Sequence, residues 1–303
     1  MSKLKAVFKN MKTEGYVVKN LDSYLIKANE ENDRAIDVNS PSQASNCLRR
    51  NFYMRTGVQA GGSVDPRTQR IFDNGTHVHL RLQEYLMKSG ICVMDEVPCI
   101  DVEYNIQGHT DGYLTLSPPS ISKGVTQYTN LGILEIKSIN DNQFNQLKDA
   151  KPEHKEQAMV YLHCSEKRRK YLREKYKTKM EFDLSRKERV EYFKSRYQHL
   201  KDGSKYTKEE KLDLQIKLNL QADKILYNTI RPITKVVFLY ENKNTQDLKE
   251  FVVEHDTELM DNILARYKTL NECIEKDELP PREGTSKSCT TCRWCPYTID
   301  CFC

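Results

Sequence analysis

The chain has 303 residues, 38% apolar and 30% charged, with 12 Gly, 10 Pro and no low-complexity tract: enough apolar side chains for the core of one large domain or two ordinary ones, and too few turn formers for a fibrous or disordered chain. No run approaches the roughly 18 apolar residues of a membrane span, and the opening "MSKLKAVFKNMKTEGY" lacks the apolar stretch of a secretory leader, so a globular, intracellular (cytoplasmic) protein is expected. The net charge of +5 is matched by residues 165–191 alone, where eleven Lys/Arg stand against six Asp/Glu; such a surface favours a polyanion, although a solvated mixed-charge helix has the same composition.

Residues 1–40 are polar and weakly patterned. "SPSQASNCLRRNFYMRTG" then reads as a helix start, with Ser40 before Pro41. Residues 70–88 carry Ile71, Val78, Leu82, Tyr85 and Leu86 near one side, which predicts an amphipathic helix. Strand-like runs follow at 91–103, 106–116 and 131–138, the last two separated by the linker "SPPSISKGVTQYTN". A helix is expected over 142–164, and then a lysine-rich helical insertion over 165–230 interrupts the strand pattern. Two strands near 233–241 and 248–254 read as a hairpin. Leu259, Ile263, Tyr267, Leu270 and Ile274 mark one helix face, and "LPPREGTSK" leads into a tail where five of the ten cysteines fall within fifteen residues. Helix, strands, helix and strands again make an α/β fold.

Residues two apart in a strand share a face. In "GILEIKS" that rule puts Glu135 and Lys137 on one face of an otherwise apolar strand; in "QGHTDGYL" it puts Asp111 with His109 and Tyr113. If the two strands are neighbours, Asp111 and Glu135 converge on one hard cation, for which carboxylates suit Mg²⁺ or Mn²⁺. Lys137 is then placed to orient a water or to stabilise developing charge. Taken alone, an E-x-K tripeptide is more often a surface ion pair. "NGTHVHLRLQEYL" adds His79 four residues after Gly75, and "EHKEQAMVYLH" adds Gln157 and Tyr161 on one face of a helix.

In order, G-x-x-x-H, G-x-x-D, E-x-K and Q-x-x-x-Y over residues 75–161 resemble the PD-(D/E)xK nuclease superfamily, and within it the RecB-like branch. The chain departs from the pattern in placing Thr110, not Pro, before Asp111, and in a long gap between Asp111 and Glu135 that the linker fills. The resemblance implies a restriction-endonuclease-like α/β core, a mixed central sheet flanked by helices, in a single nuclease domain over 1–303. It also implies His79, Asp111, Glu135 and the Ile136 carbonyl as ligands of Mg²⁺ or Mn²⁺, Lys137 as the catalytic lysine, and Gln157 and Tyr161 near the substrate. The expected activity is phosphodiester hydrolysis, as an exonuclease on single-stranded DNA or DNA ends in recombination, repair or replication, with a helicase or recombination protein as partner. The alternative is a catalytically weak DNA-binding subunit of a recombination or CRISPR-adaptation complex.

The tail leaves two readings. "CTTCRWC" places Cys289, Cys292 and Cys295 at zinc-ligand spacing, with Cys301 or Cys303 to complete a tetrahedron. Alternatively Cys292, Cys295 and Cys301 join Cys47, far upstream in "ASNCLRRNFYM". That set resembles the AddB-type and CRISPR-adaptation-type nucleases, and the resemblance implies a 4Fe–4S cluster stapling residues 280–303 to the Cys47 helix, with Cys289 and Cys303 spare. Cys92, Cys99, Cys164 and Cys273 are expected as small apolar residues of the interior.

Overall fold

The computed structural model describes residues 15–30, 37–58, 64–122, 124–203 and 206–302; Cys303, a candidate fourth ligand of a zinc knot, lies outside them. Helix α1 (Tyr16–Glu30) is followed by a 3₁₀ turn (Pro41–Gln43), α2 (Leu48–Arg55) and α3 (Pro66–Lys88). Helix α3 starts earlier than its apolar periodicity suggests, because Pro66 occupies its first turn and the Asp65 side chain accepts from the Thr68 N–H at 3.1 Å. Ile71 and Tyr85 were expected on its apolar face but are exposed; Val78 and Leu82 carry the packing.

Strands β1 (Cys92–Asp101) and β2 (Ile106–Thr115) form a hairpin, and the linker folds into a small ribbon of β3 (Ser120–Ser122) and β4 (Val125–Gln127) before β5 (Leu131–Ile139). The helix expected over 142–164 is two helices, α4 (Asp141–Gln146) and α5 (Pro152–Lys175), because Pro152 can open a helix but not sit inside one. Helix α5 runs on through residue 165, so the lysine-rich segment begins as its continuation and then turns through α6 (Lys179–Leu184), α7 (Arg186–Arg196) and α8 (Lys208–Tyr227). Strands β6 (Lys235–Asn242) and β7 (Leu248–Glu254) pair antiparallel, and α9 (Thr257–Glu275) and α10 (Thr298–Phe302) complete the described chain.

The main sheet has the order β1-β2-β5-β6-β7, antiparallel except for β5 against β6. A parallel pair needs a crossover, and here it contains α5 and the helical insertion. Alternation along β5 sends Leu134 and Ile136 to one face, against Val78 and Leu82 of α3. It sends Leu131 and Ile133 to the other, against Ala158, Met159, Tyr161 and Leu162 of α5. The fold is therefore a mixed α/β sandwich with a five-stranded sheet between α3 and α5. The insertion is anchored by Asp223 of α8, which accepts from Arg168 through both oxygens (2.8 and 2.8 Å) and from Arg189 at 3.2 Å. Among the described residues no helix is long and apolar enough to cross a membrane.

Candidate active site

Pairing between β1 and β2 continues to Asp101↔Ile106, but β2 pairs with β5 only from Thr115↔Leu131 to Gly112↔Leu134. Beyond Gly112 the two strands part. Asp111 projects into the opening. Its Oδ2 accepts the Ile136 N–H at 2.5 Å, so a carboxylate stands where a neighbouring strand's carbonyl would otherwise be. Its Oδ1 lies 3.0 Å from His79 Nδ1.

Helix α3 delivers two side chains to this point, four residues apart and so on one face. One is His79. The other is Gln83, which is buried and donates to the Asp111 carbonyl at 2.8 Å and to Glu96 Oε1 at 3.0 Å. Glu96 adopts a φ of +45°, a conformation rarely taken by a residue with a side chain. A Cβ on Gly75 would make only ordinary van der Waals contact with Ser138 Oγ, at 3.7 Å, so the packing of α3 on β5 does not demand a glycine there.

Glu135 and Lys137 project from β5 toward α5. Lys137 Nζ donates to Glu135 Oε1 at 2.7 Å and to Gln157 Oε1 at 2.9 Å. Gln157 Nε2 donates to Glu135 Oε1 at 2.9 Å and to the Tyr161 hydroxyl at 2.6 Å. The motif residues thus form one chain of contacts: His79 to Asp111, Asp111 to the Ile136 backbone, and Glu135 to Lys137, Gln157 and Tyr161. Burial, reinforced by the Asp111 charge and only partly offset by Lys137 and His79, pushes the Glu135 carboxyl up to about 7. Burial lowers the proton affinity of His79, but its hydrogen bond to Asp111 and the charge there outweigh that and leave it raised.

His154 was not foreseen from the sequence. One turn before Gln157 on α5, its Nδ1 lies 2.7 Å from the Tyr240 hydroxyl. Burial, with the Lys137 and Lys151 charges, lowers it to about 3, so it stays neutral beside the lysine. Gln83 and Glu96 were missed for the same reason: each is an ordinary polar residue locally, and its role comes from partners far off in sequence.

The donor set suits a hard divalent cation: two carboxylates, an imidazole and a backbone carbonyl. His79 Nδ1 and Asp111 Oδ1 are hydrogen-bonded to each other at 3.0 Å, and an ion held by both would replace that bond. Burial first, and then the Asp111 charge, raises the Glu135 carboxyl, and a cation bound beside it would favour its ionised form. Among the described residues no three His, Cys, Asp or Glu side chains form a ready-made metal cage; Glu135 is turned to Lys137 and Gln157.

The cysteines form a second centre. Cys47, Cys292, Cys295 and Cys301 line one cavity of about 160 Å³, together with Arg49, Arg50 and Tyr53. Cys289 is not among its lining residues. All nine described cysteines are free thiols. Arg50 Nε is buried there without a hydrogen-bond partner, a donor that an anionic group in the cavity would satisfy. Gly284 packs directly against one of these thiols: a Cβ on it would come within 2.1 Å of Cys292 Sγ. The donor set therefore fits a four-thiolate group. The segment is also tied to α2 by ordinary bonds, from the Leu48 N–H to Glu283 at 2.9 Å and from Arg49 Nε to the Pro280 carbonyl at 2.7 Å. Cys92, Cys99 and Cys164 are buried as expected of small apolar residues, whereas Cys273 is only half-buried.

No protein-family model matches the chain, and no curated protein matches it. Among solved structures it is similar to SSO0001, at 14% identity over 95% of this chain and 96% of that one, with a TM-score of 0.44. It is similar also to the alkaline exonuclease LHK-Exo from Laribacter hongkongensis, at 10% identity over 86% of this chain and 93% of that one, with a TM-score of 0.42. The complex of LHK-Exo with dAMP gives 13% identity over 80% and 90% of the two chains, with a TM-score of 0.42. At such values these are loose likenesses of layout, and they assign no residue and no activity to this chain.

Proposed function

We propose that the chain is a divalent-metal-dependent DNA nuclease of the RecB-like branch of the PD-(D/E)xK superfamily, acting as an exonuclease on single strands or ends. One observation carries this reading. A buried glutamate, bonded to a lysine on its own strand face, stands beside an Asp–His pair where the central sheet opens. His79, Asp111, Glu135 and the Ile136 carbonyl would hold Mg²⁺ or Mn²⁺. When bound, such an ion polarises a phosphoryl oxygen and makes a water acidic enough to attack. Lys137 Nζ, fixed between Glu135 and Gln157, orients that water and faces the charge that develops on the phosphate. Tyr161 fixes Gln157, and Gln157 in turn keeps the lysine from swinging into solvent. Cys47, Cys292, Cys295 and Cys301 would hold a 4Fe–4S cluster with a structural role, and the lysine-rich insertion would meet the phosphate backbone.

Anaerobically purified protein should degrade end-labelled single-stranded DNA with added Mg²⁺ or Mn²⁺ and not without. Lys137→Ala should lower turnover by about 100-fold or more while DNA binding survives. Cleavage that needs no divalent ion, or no cleavage of any DNA, would sink the nuclease reading; wild-type turnover in Lys137→Ala would remove only the lysine from it.

A further inference from the structure

Trp294, the only tryptophan in the chain, is 81% exposed. A buried tryptophan removes some 150–250 Å² from water, and the cysteine segment does have a slot for an aromatic ring. Tyr297 fills it, buried with its ring 5.5 Å from that of Tyr53. Trp294, between Cys292 and Cys295, stands outside that core.

The chain on either side of it is basic between Glu283 and Asp300. From Gly284 to Ile299 there is no acidic residue, and Lys287 and Arg293 are both exposed. The Arg293 guanidinium lies 5.4 Å from the centre of the Trp294 ring, and neither it nor Lys287 pairs with a carboxylate among the described residues. The only large apolar side chains exposed between residues 280 and 302 are Trp294 and Ile299. That area is far short of the roughly 800 Å² per partner of a standard protein interface, but it is ample for one aromatic base.

The segment is anchored to α9 as well as to α2: Glu283, one residue before Gly284, bonds Arg266 at 3.3 Å.

We propose that Trp294 and Arg293 form a stacking platform for an unpaired base of single-stranded DNA, with the indole face that Arg293 leaves open under the base and the guanidinium on the adjoining phosphate. This rests on the nuclease reading and narrows its substrate to strands that present an unstacked base. Stacking suits strands of any sequence, because every base has a π-face.

A single tryptophan makes the test direct. Intact protein, without added divalent metal so that nothing is cut, is titrated with oligothymidine while tryptophan emission is followed. Saturable quenching is expected, weaker at high salt and absent with a blunt duplex of equal length. Trp294→Ala should weaken binding roughly 5- to 150-fold and raise KM for single strands with kcat unchanged, and Trp294→Phe should restore most of the loss. Unchanged emission while the oligonucleotide binds and is cleaved, or wild-type KM in Trp294→Ala, overturns the platform and leaves the nuclease standing. Equal quenching by the duplex overturns the unpaired base. If the wild-type protein neither binds nor cuts DNA, both readings fail and the patch falls to a protein partner.

Discussion

Glu135 is the side chain through which pH should act. Its carboxyl is raised from an ordinary 4.5 to about 7 by burial and by Asp111. A raised acid favours the folded state while it is protonated. Its contribution is therefore complete below about pH 4.5 and is lost as pH rises through 7. The metal-free protein should thus lose stability over that window, and Mg²⁺ or Mn²⁺ should restore it, since ligands must be deprotonated. Thermal melts with and without the ion, compared with Glu135→Gln, check this: the variant should show a flatter pH profile and no ion response. A wild-type ion response that does not grow with pH would count against Glu135 as a ligand. Gly284 makes a second prediction at this scale. With a Cβ only 2.1 Å from Cys292 Sγ, Gly284→Ala must push that thiol from the cavity. If the four cysteines hold a cluster, iron content should fall in this variant, though no ligand has been touched.

The elements show how far sequence reasoning reached. Period-two alternation was enough to put Glu135 and Lys137 on one strand face and Asp111 with Tyr113 on another, because that rule is local. The spacing from Gly75 to His79 led to the right helix, and Cys47 to the cysteine cavity. Illegible were features set by distant partners: the parting of β2 from β5, the Gln83 bridge, the neutral His154 and the glycine behind Cys292. The break between α4 and α5 was missed although Pro152 announced it, because the apolar pattern continues across it. The insertion was legible as helix and charge but not as a buried ion triad. There, Asp223 holds Arg168 and Arg189. Asp223→Ala leaves both guanidinium groups short of a partner and should destabilise the protein by about 3–5 kcal/mol, read as a lower denaturant midpoint. A change below 0.5 kcal/mol would mean that the insertion is not held through this triad.

For the whole molecule, the cysteine centre separates a staple from a local knot. Cys47 precedes α2 and touches its first turn only through weak thiol contacts with the Arg49 and Arg50 N–H groups, so its removal should cost far less than the loss of a shared ligand. If a cluster joins it to Cys292, Cys295 and Cys301, Cys47→Ala should bleach the protein and lower its Tm as much as Cys295→Ala does, with Cys289→Ala mild. One zinc per chain, a silent Cys47→Ala and a severe Cys289→Ala would refute the staple and leave the strand motifs untouched.

That same cavity imposes an order of events on synthesis. Its first cysteine is residue 47 and its second residue 292, so 245 residues must be added before the two can meet. At about 5–20 residues per second the wait is roughly 12–50 s. During that time Cys47 has none of its three candidate partners on the growing chain, and between residues 139 and 235 β5 has its antiparallel neighbour β2 but not yet its parallel one, β6. If the four cysteines share a cluster, it can form only after residue 301 has been added, and a cell that oxidises or wrongly metallates Cys47 early would leave the tail segment held to α2 by its hydrogen bonds alone.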